Sequence, residues 1–232
     1  MSEPVADVDV VILCGGLGTR LGSLLRDCPK PMVDINDRPF LDILIDYIAS
    51  FGFKRFILCT GYKSKVIEDH YQKKDALTYI ISPEEEPLGT AGALKNAAHL
   101  IKTDVFLGVN GDSFCQADLN KFIAFHFSKN AAILSMILAS VNDASDYGSI
   151  TLDQNQEIVQ FNEKRSGSGY INAGIYAINK KVLEQIPPKQ KWSLEYNVFP
   201  ALVKQGLYGY VTEQKLFDIG TPERLEIAKK NL

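Results

Sequence analysis

The residues of this chain that are best placed to do chemistry follow a short apolar run near its amino terminus. The run, residues 8–14, leads into a turn that contains Gly15, Gly16 and Gly18, and Arg20 and Lys30 come soon after. A glycine-rich turn after a first strand usually brings backbone N–H groups close to phosphate. Guanidinium and ammonium groups beside such a turn would neutralise phosphate charge. The segment therefore predicts a site for a phosphorylated ligand.

Two familiar phosphate-binding motifs do not match this turn. The dinucleotide pattern G-x-G-x-x-G, read from Gly16, would require glycine where Leu21 stands. A P-loop would require Gly-Lys followed by Ser or Thr, whereas residues 21–23 read Leu-Gly-Ser. The turn is thus neither an NAD-binding fingerprint nor a P-loop.

Two carboxylates occupy positions typical of metal ligands in open sheets. Asp112 follows an apolar run that reads as a buried strand, and Asp218 follows the run at residues 208–217. Side chains at the carboxyl ends of such strands lie at the usual ligand crevice. Mg²⁺ prefers one or two carboxylates together with phosphate oxygens and water. The alternative interpretation is that each short side chain caps a turn or a helix.

The elements that must position these residues alternate between short apolar runs and longer amphipathic stretches. This alternation predicts a βαβ architecture with a parallel sheet up to about residue 130. Later strands follow one another with short connectors, which favours a mixed sheet with an antiparallel portion. Predicted strands are 8–14, 56–60, 78–81, 105–109, 132–140, 148–152, 158–163 and 171–178. Predicted helices are 40–51, 64–71 with Ser64 as its cap, 90–101, 118–128, 180–185, 194–204 and 222–230.

Composition sets the broad class of protein. The chain has 232 residues, with 25 Lys+Arg against 28 Asp+Glu and a formal charge of −3, which argues against non-specific binding to DNA or to an anionic membrane. No apolar run approaches the length of a membrane span, and the first residues do not resemble a secretion signal. The four cysteines form no C-x-x-C pair and the three histidines are scattered, so a zinc site is not indicated. A cytoplasmic enzyme is the expectation.

The chain as a whole resembles the sugar-1-phosphate nucleotidylyltransferases. The resemblance rests on motifs in the expected order at residues 15–21, 29–32, 84–92, 110–112, 147–148, 163–164, 172–174 and 217–222. It implies a Rossmann-like α/β fold, a mixed and mostly parallel sheet with helices on both faces, without the β-helix that many relatives append. It also implies a single domain, with residues 1–130 binding the nucleotide and residues 131–232 binding the sugar phosphate.

The resemblance implies a reaction in which a sugar 1-phosphate attacks the α-phosphorus of a nucleoside triphosphate and pyrophosphate leaves. The implied catalytic residues are Arg20, Lys30, Asp112 and Lys164, with Mg²⁺ held by Asp112 and Asp218. The implied nucleotide-binding residues are Leu13, Gly15, Gly16, Gly18, Thr19, Arg20, Glu84, Pro87, Gly89 and Thr90. The implied sugar-binding residues are Gly148, with Tyr147 before it, Glu163, Lys164 and Asn172. The family usually has proline after the Glu-Lys pair, where Arg165 stands here, in a loop predicted over residues 165–169.

The nature of the base is indicated by Glu84. Several relatives that use UTP or dTTP have glutamine at this position, whereas a carboxylate only accepts hydrogen bonds, which suits the N1–H and exocyclic amine of guanine. The chain looks most like D-glycero-α-D-manno-heptose 1-phosphate guanylyltransferases of bacterial surface-glycan pathways, followed by mannose-1-phosphate guanylyltransferases. Uridylyl or thymidylyl transfer to a hexose 1-phosphate and a catalytically silent sugar-nucleotide sensor remain alternatives, and a homodimer is left open.

Overall fold

The computed structural model describes residues 7–16, 18–25, 28–146, 148–164 and 167–232, and only the backbone of residues 23, 24, 163 and 164. The strands are β1 (Val10–Leu13), β2 (Asp34–Ile35), β3 (Arg38–Pro39), β4 (Arg55–Thr60), β5 (Thr78–Pro83), β6 (Val105–Asn110), β7 (Ser113–Cys115), β8 (Leu134–Val141), β9 (Gly148–Leu152), β10 (Ile158–Lys164), β11 (Gly169–Asn179), β12 (Leu207–Thr212) and β13 (Leu216–Asp218). The α-helices are α1 (Phe40–Ala49), α2 (Ser64–Tyr71), α3 (Gly89–Ala97), α4 (Leu119–Ser128), α5 (Phe199–Leu202) and α6 (Pro222–Asn231). Short 3₁₀ segments span Thr19–Leu25, Lys30–Met32 and Lys180–Gln185, and a π-helical turn spans Leu194–Val198.

One mixed sheet forms the centre of the molecule. Its middle strands run in the order β6-β1-β4-β5 and are all parallel. The long strand β11 is antiparallel to β6 and continues the sheet to β8 and β9, and β12 and β10 add to these. The predicted mixed α/β sheet is confirmed. The antiparallel part begins at β11, as the short connectors after residue 131 indicated.

Alternating side chains of the sheet enter two separate hydrophobic layers. Val10 and Ile12 of β1 pack in a layer with residues of α1, α2, α4 and α6, whereas Val11 packs with residues of α3 and α5 in the other layer. Because both faces of β1 are covered, its apolar run shows no polar alternation, as expected for a buried parallel strand. Helices therefore cover both faces of the sheet, as predicted.

The strand order reverses beside β1. The chain passes from β1 through β4 to β5 on one side and then returns to place β6 on the other side. Leu13 and Asn110 are paired in register at the carboxyl ends of β1 and β6. Ligands of open α/β sheets bind in the crevice at such a switch point. The fold thus directs the glycine turn after β1 and the residues after β6 to the same edge.

Several boundaries differ from the sequence predictions, for local reasons. Ser64 does not cap α2 as predicted: the residue before the helix is Lys63, with φ of 53°, and the Ser64 hydroxyl bonds Glu68 within the helix. The predicted helix 194–204 is a π-helical turn that continues into the four-residue α5. The paired short strands β7 and β13, and the β2–β3 hairpin, were not predicted. Two-residue and three-residue strands leave too little periodicity to detect.

Among the residues that the structure describes, no helix is both long and apolar enough to cross a membrane.

A buried histidine should make folding stability depend on pH. His126 on α4 is 3% exposed, its Nδ1 lies 2.9 Å from the Ser135 hydroxyl, and burial lowers its pKa to about 4. The unfolded chain binds this proton near pH 6.5, so stability is full above that pH and falls as pH decreases toward 4. On going from pH 7 to pH 5, the wild type should lose about 2 kcal/mol more unfolding free energy than His126→Gln. Denaturant unfolding at both pH values measures it.

His99 provides the matched control, because its side chain is exposed and its ring nitrogen Nδ1 contacts the carbonyl of the nearby Asn96. His99→Gln should keep the wild-type pH dependence. Parallel pH profiles for the wild type and His126→Gln would contradict the assignment.

Candidate active site

A cavity of about 540 Å³ opens at the carboxyl ends of the parallel strands, at the reversal beside β1. Its wall comes from segments that are far apart in sequence. The lining residues are Leu13, Gly15, Gly16, Gly18, Thr19, Arg20, Lys30, Pro31, Glu84, Pro87, Gly89, Thr90, Ala93, Asn110, Asp112, Lys191, Glu195 and Gly220. All ten residues that the resemblance implies for the nucleotide are brought together here, and so are Lys30 and Asp112.

Lys30 is the buried cation of the cavity. It begins a short 3₁₀ turn between Pro29 and Pro31, and its side chain is only 8% exposed. Its Nζ lies 2.5 Å from Oδ2 of Asp112, whose side chain is 40% exposed. A buried ammonium is stable only when it is paired and hydrogen-bonded. The ion pair with Asp112 therefore fixes the position of the Lys30 amino group at the cavity wall.

Asp112 and Asp218 approach each other through the β7–β13 pair. Asp218 pairs in register with Ser113, the residue next to Asp112, and the Ile219 N–H donates to the Asp112 carbonyl at 3.1 Å. Two short strands thus align carboxylates 106 positions apart in the chain. Asp218 itself is not among the described lining residues, although Gly220 beside it is.

Gly220 marks the point where the charged side chains converge. A Cβ placed on Gly220 would lie 2.7 Å from Oδ1 of Asp218 and 3.4 Å from Nη2 of Arg20. The same Cβ would lie 3.7 Å from Nζ of Lys30. The side chains of Arg20 and Lys30 and the carboxylate of Asp218 therefore lie close together beside Gly220. The arrangement can bind and neutralise a polyanion.

Asp218 also has a structural role, because its side chain caps a turn. Its Oδ1 accepts the Gly220 N–H at 2.9 Å, two residues on, which is the geometry of an Asx turn. Its two oxygens also accept from Nη1 of Arg224 at 3.2 and 3.0 Å. The two interpretations of Asp218 offered by the sequence are compatible, since a carboxylate has about four lone-pair sites.

Glu84 also lines the cavity and comes directly after β5. Its N–H donates to the Thr60 carbonyl at 2.7 Å, and its Oε2 accepts the Leu88 N–H at 2.9 Å. A Cβ on Gly15 would lie 3.1 Å from its Oε1, so the glycine turn and this carboxylate are in close contact. Burial raises the pKa of Glu84, and the Leu88 hydrogen bond partly opposes that shift. The side chain is a fixed hydrogen-bond acceptor beside the turn.

The start of α3 is held in place by a segment from the second half of the chain. Ala91 and Gly92 donate their N–H groups to the Trp192 carbonyl at 2.9 and 3.1 Å, and the Trp192 N–H donates to Leu88. The Thr90 hydroxyl donates to Oε2 of Glu195 at 2.8 Å. This docking brings Lys191 and Glu195 into the cavity wall.

Six residues that line the cavity were not predicted from the sequence to belong to the site. They are Pro31, Ala93, Asn110, Lys191, Glu195 and Gly220. Signals for several were present. Asn110 belongs to the motif at residues 110–112, and Gly220 to the motif at residues 217–222. Lys191 had no such signal, because one lysine in a polar stretch does not differ from any other surface lysine.

Of the residues implied for the sugar, Gly148 and Asn172 are not among the described residues that line the cavity. Gly148 of β9 is paired in register with Lys164 of β10. Asn172 of β11 donates to the Tyr176 hydroxyl at 2.9 Å and accepts the Gly174 N–H at 2.9 Å. The side chains of Glu163 and Lys164, and the whole of Leu17, Tyr147, Arg165 and Ser166, lie outside what the structure describes. The roles predicted for these residues stay predictions.

Residues 9–232 match the family model described as "Nucleotidyl transferase". The chain belongs to the nucleotidyl transferase family. Its mixed α/β sheet is shared with HddC from Yersinia pseudotuberculosis, for which a crystal structure in complex with GMP-PN is known. The two structures superpose with a TM-score of 0.85 at 39% sequence identity, and the match covers 96% of this chain and 98% of HddC. The D-glycero-alpha-D-manno-heptose 1-phosphate guanylyltransferase of Campylobacter jejuni is 36% identical over 93% of this transferase and 96% of its own length.

A mannose-1-phosphate guanylyltransferase of Mycobacterium tuberculosis is 39% identical to the transferase, which spans 62% of that relative's length. The resemblance stated from the sequence motifs is thereby confirmed at the level of the family and of its fold.

The contact between Gly89 and Trp192 allows a direct test of the docked segment. Gly89 has φ of 71°, and a Cβ there would lie 2.7 Å from the Trp192 carbonyl oxygen. Gly89→Ala should therefore lower the free energy of unfolding by about 3 kcal/mol, from backbone strain plus a clash with backbone. Gly52→Ala is the matched control, because Gly52 has φ of 100° with nothing within 4 Å of its Cβ. It should cost about 1 kcal/mol.

Chemical denaturation of both variants gives the comparison. Equal losses in the two would mean that the Trp192 contact does not constrain the start of α3.

Proposed function

We propose that this chain transfers GMP from GTP to a sugar 1-phosphate, with D-glycero-α-D-manno-heptose 1-phosphate as the favoured acceptor and pyrophosphate as the second product. The observation that carries the proposal is the convergence of Arg20, Lys30, Asp112 and Asp218 around Gly220 at the edge of the cavity. A guanylyl-transferring relative of similar length supports the choice of reaction.

The chemistry requires positioning and charge neutralisation rather than a side-chain base. The attacking group is a phosphate oxygen that is already anionic near pH 7. It forms a bond to the α-phosphorus of the triphosphate, and the bond from that phosphorus to the oxygen that bridges it to the β-phosphorus breaks. That oxygen leaves with the β- and γ-phosphates as pyrophosphate. Two unit charges at 4 Å repel by about 4 kcal/mol at an effective dielectric of 20, and here several pairs meet. Preorganised cations therefore supply most of the catalysis.

Each basic side chain has a role that fits its place. We assign Arg20 to the outer phosphates, because a guanidinium binds phosphate through two parallel hydrogen bonds. Lys30, the most buried of the described cations in the cavity, is assigned to the reacting phosphates. Backbone N–H groups of Gly15, Gly16 and Gly18 are assigned to the triphosphate. Lys191 adds a cation that the motifs did not indicate.

The carboxylates Asp112 and Asp218 fit a magnesium ion by the chemistry of their donor set, since Mg²⁺ takes one or two carboxylates and completes its shell with phosphate oxygens and water. When bound, Mg²⁺ would neutralise phosphate charge and withdraw electrons from the α-phosphorus. In Asp112, one oxygen pairs with Lys30 and the other accepts from the Ser113 hydroxyl at 3.2 Å. Asp112 and Lys30 thus hold each other in place for the phosphates.

The acceptor sugar is assigned to residues 131–232 and the nucleotide mainly to residues 1–130. Gly148, Glu163, Lys164 and Asn172 are proposed to contact the sugar and its phosphate. Relatives named for heptose and for mannose substrates are 36% and 39% identical to this chain, so both sugars are candidates. The heptose is favoured by resemblance alone, since the motifs of this chain look most like those of the heptose 1-phosphate guanylyltransferases. A product of this type would serve surface-glycan assembly, with the reaction in the cytoplasm, where nucleoside triphosphates are made.

Guanine is the favoured base because Glu84 offers only acceptor atoms. Its Oε2 is held by the Leu88 N–H, which fixes the direction of the carboxylate. The N1–H and amino group of guanine can both donate to such a carboxylate. Uracil can donate only its N3–H, and it places a carbonyl oxygen next to the carboxylate.

Base selectivity is the first test. Turnover, measured as pyrophosphate release with Mg²⁺ and heptose or mannose 1-phosphate, should be highest with GTP in a panel of GTP, UTP, dTTP, CTP and ATP. Glu84→Gln should lower the ratio of turnover with GTP to turnover with UTP by roughly ten-fold, which corresponds to one or two hydrogen bonds to a charged group. Glu85→Gln, a change in the exposed neighbour, should leave the ratio unchanged. Equal rates with all triphosphates would remove guanine as the assigned base.

The candidate metal carboxylate is the second test. Asp112→Asn keeps the shape of the side chain and removes its charge, so kcat should fall by roughly 10² or more. Because the change also leaves the buried Lys30 without its carboxylate partner, the unfolding free energy should fall by about 3 kcal/mol, and kcat is compared under conditions where both proteins are folded. Asp46→Asn, which loses the exposed Arg38 pair on α1, should leave both quantities near wild type. A kcat near wild type in folded Asp112→Asn would mean that this carboxylate holds Lys30 in place but takes no part in the reaction.

A further inference from the structure

Arg224 on α6 contacts two carboxylates that lie on different segments of the chain. Its Nη1 donates to both oxygens of Asp218, at 3.2 and 3.0 Å, and its Nη2 donates to Oδ2 of Asp146 at 2.9 Å. The Arg224 side chain is 24% exposed, Asp218 is 15% exposed and Asp146 is 72% exposed. One contact is therefore sheltered, whereas the other reaches the surface.

The position of Arg224 is set by the start of its helix. The Thr221 hydroxyl caps α6 by accepting the Arg224 N–H at 3.4 Å, and Pro222 occupies the first turn. The residue that precedes this cap is Gly220, where Arg20 and Lys30 converge. Arg224 thus extends from the charged end of the cavity toward the β8–β9 connection.

Asp146 lies in that connection, which the structure describes over residues 142–146. The connection leads to Gly148, whose register partner on β10 is Lys164. It is also tied to the segment after β10, because the Ala144 N–H donates to the Gly167 carbonyl at 2.9 Å. Asp143 accepts the Gly167 N–H at 3.4 Å. The segments on either side of the predicted sugar-binding residues are therefore hydrogen-bonded to each other, and Asp146 joins them to Arg224.

We propose that Arg224 is a positioning residue that links the Asp218 carboxylate to the β8–β9 connection, and so sets the distance between the charged end of the cavity and the sugar-binding segments. This inference rests on the proposed function for the identity of the substrate. Only a planar guanidinium can serve both carboxylates at once, because its two terminal nitrogens point to different partners. A lysine in its place would keep one partner and lose the other.

The two contacts should differ in strength. The Asp218 contact is sheltered from solvent and supported by two hydrogen bonds, so it anchors Arg224. The Asp146 contact is mostly exposed and is of the kind that contributes little to global stability. Its loss should therefore release the β8–β9 connection without unfolding the protein, which makes the link testable by its local effects.

Hydrogen exchange of the substrate-free protein tests the link itself. In Asp146→Asn and in Arg224→Lys, amides of residues 142–146 should exchange roughly two- to five-fold faster than in the wild type, as expected from an exposed ion pair. Lys229→Gln is the matched control, since it removes another exposed ion pair, with Glu226, from the same helix. Unchanged exchange of residues 142–146 in Asp146→Asn would overturn the link, whatever the enzyme's activity.

Kinetics test what the link does. In Asp146→Asn, KM for the sugar 1-phosphate should rise roughly two- to five-fold, with kcat and KM for GTP near wild type. The double variant Asp146→Asn/Arg224→Lys should show no larger rise in that KM than Asp146→Asn, because both changes break the same link. Multiplied KM effects, or an equal change in KM for GTP, would overturn the positioning role. A wild-type protein without turnover would instead refute the proposed function and leave the exchange result to decide the link.

Discussion

Electrostatic repulsion between two anionic reactants is the constraint on which this structure depends. The chain carries a net charge of −3, so it has to hold cations at one place rather than present a basic surface. Lys30 is held there by Asp112 at 2.5 Å, with most of its surface buried, and Arg20 approaches from the glycine turn. The carboxylates that stabilise the cations are also a donor set that suits a divalent ion. The same pairs can therefore keep the free protein stable and present charge to a polyanion.

The fold satisfies this constraint by joining distant segments at one edge of a sheet. The parallel strands β1, β5 and β6 deliver the glycine turn, Glu84 and Asp112 to the carboxyl edge. The short pair β7–β13 brings Asp218 beside Asp112, and Arg224 extends the charged cluster to Asp146. The segments depend on one another, since the buried cation Lys30 is held by Asp112, a carboxylate from another part of the chain.

Much of the fold was predictable because hydrophobic periodicity is a local property. The runs that form β1, β4 and β6, and the amphipathic stretch of α1, were assigned to the right element within a few residues. The cap of α2 was assigned to the wrong residue, because Lys63 adopts a left-handed conformation that its side chain does not favour. The β7–β13 pair was missed because its strands have three residues each, and pairing of such strands depends on what surrounds them.

The sequence by itself determined the family, the larger strands and helices, and the residues of the glycine turn, because these follow from residue types and spacings along the chain. Only the tertiary structure decided which charges meet. It joined Lys30 to Asp112 and the Thr90 hydroxyl to Glu195, and it brought Lys191 into the cavity wall. A charged pair depends on strand order and on the register of many contacts at once, and none of these is visible in the spacing of two residues.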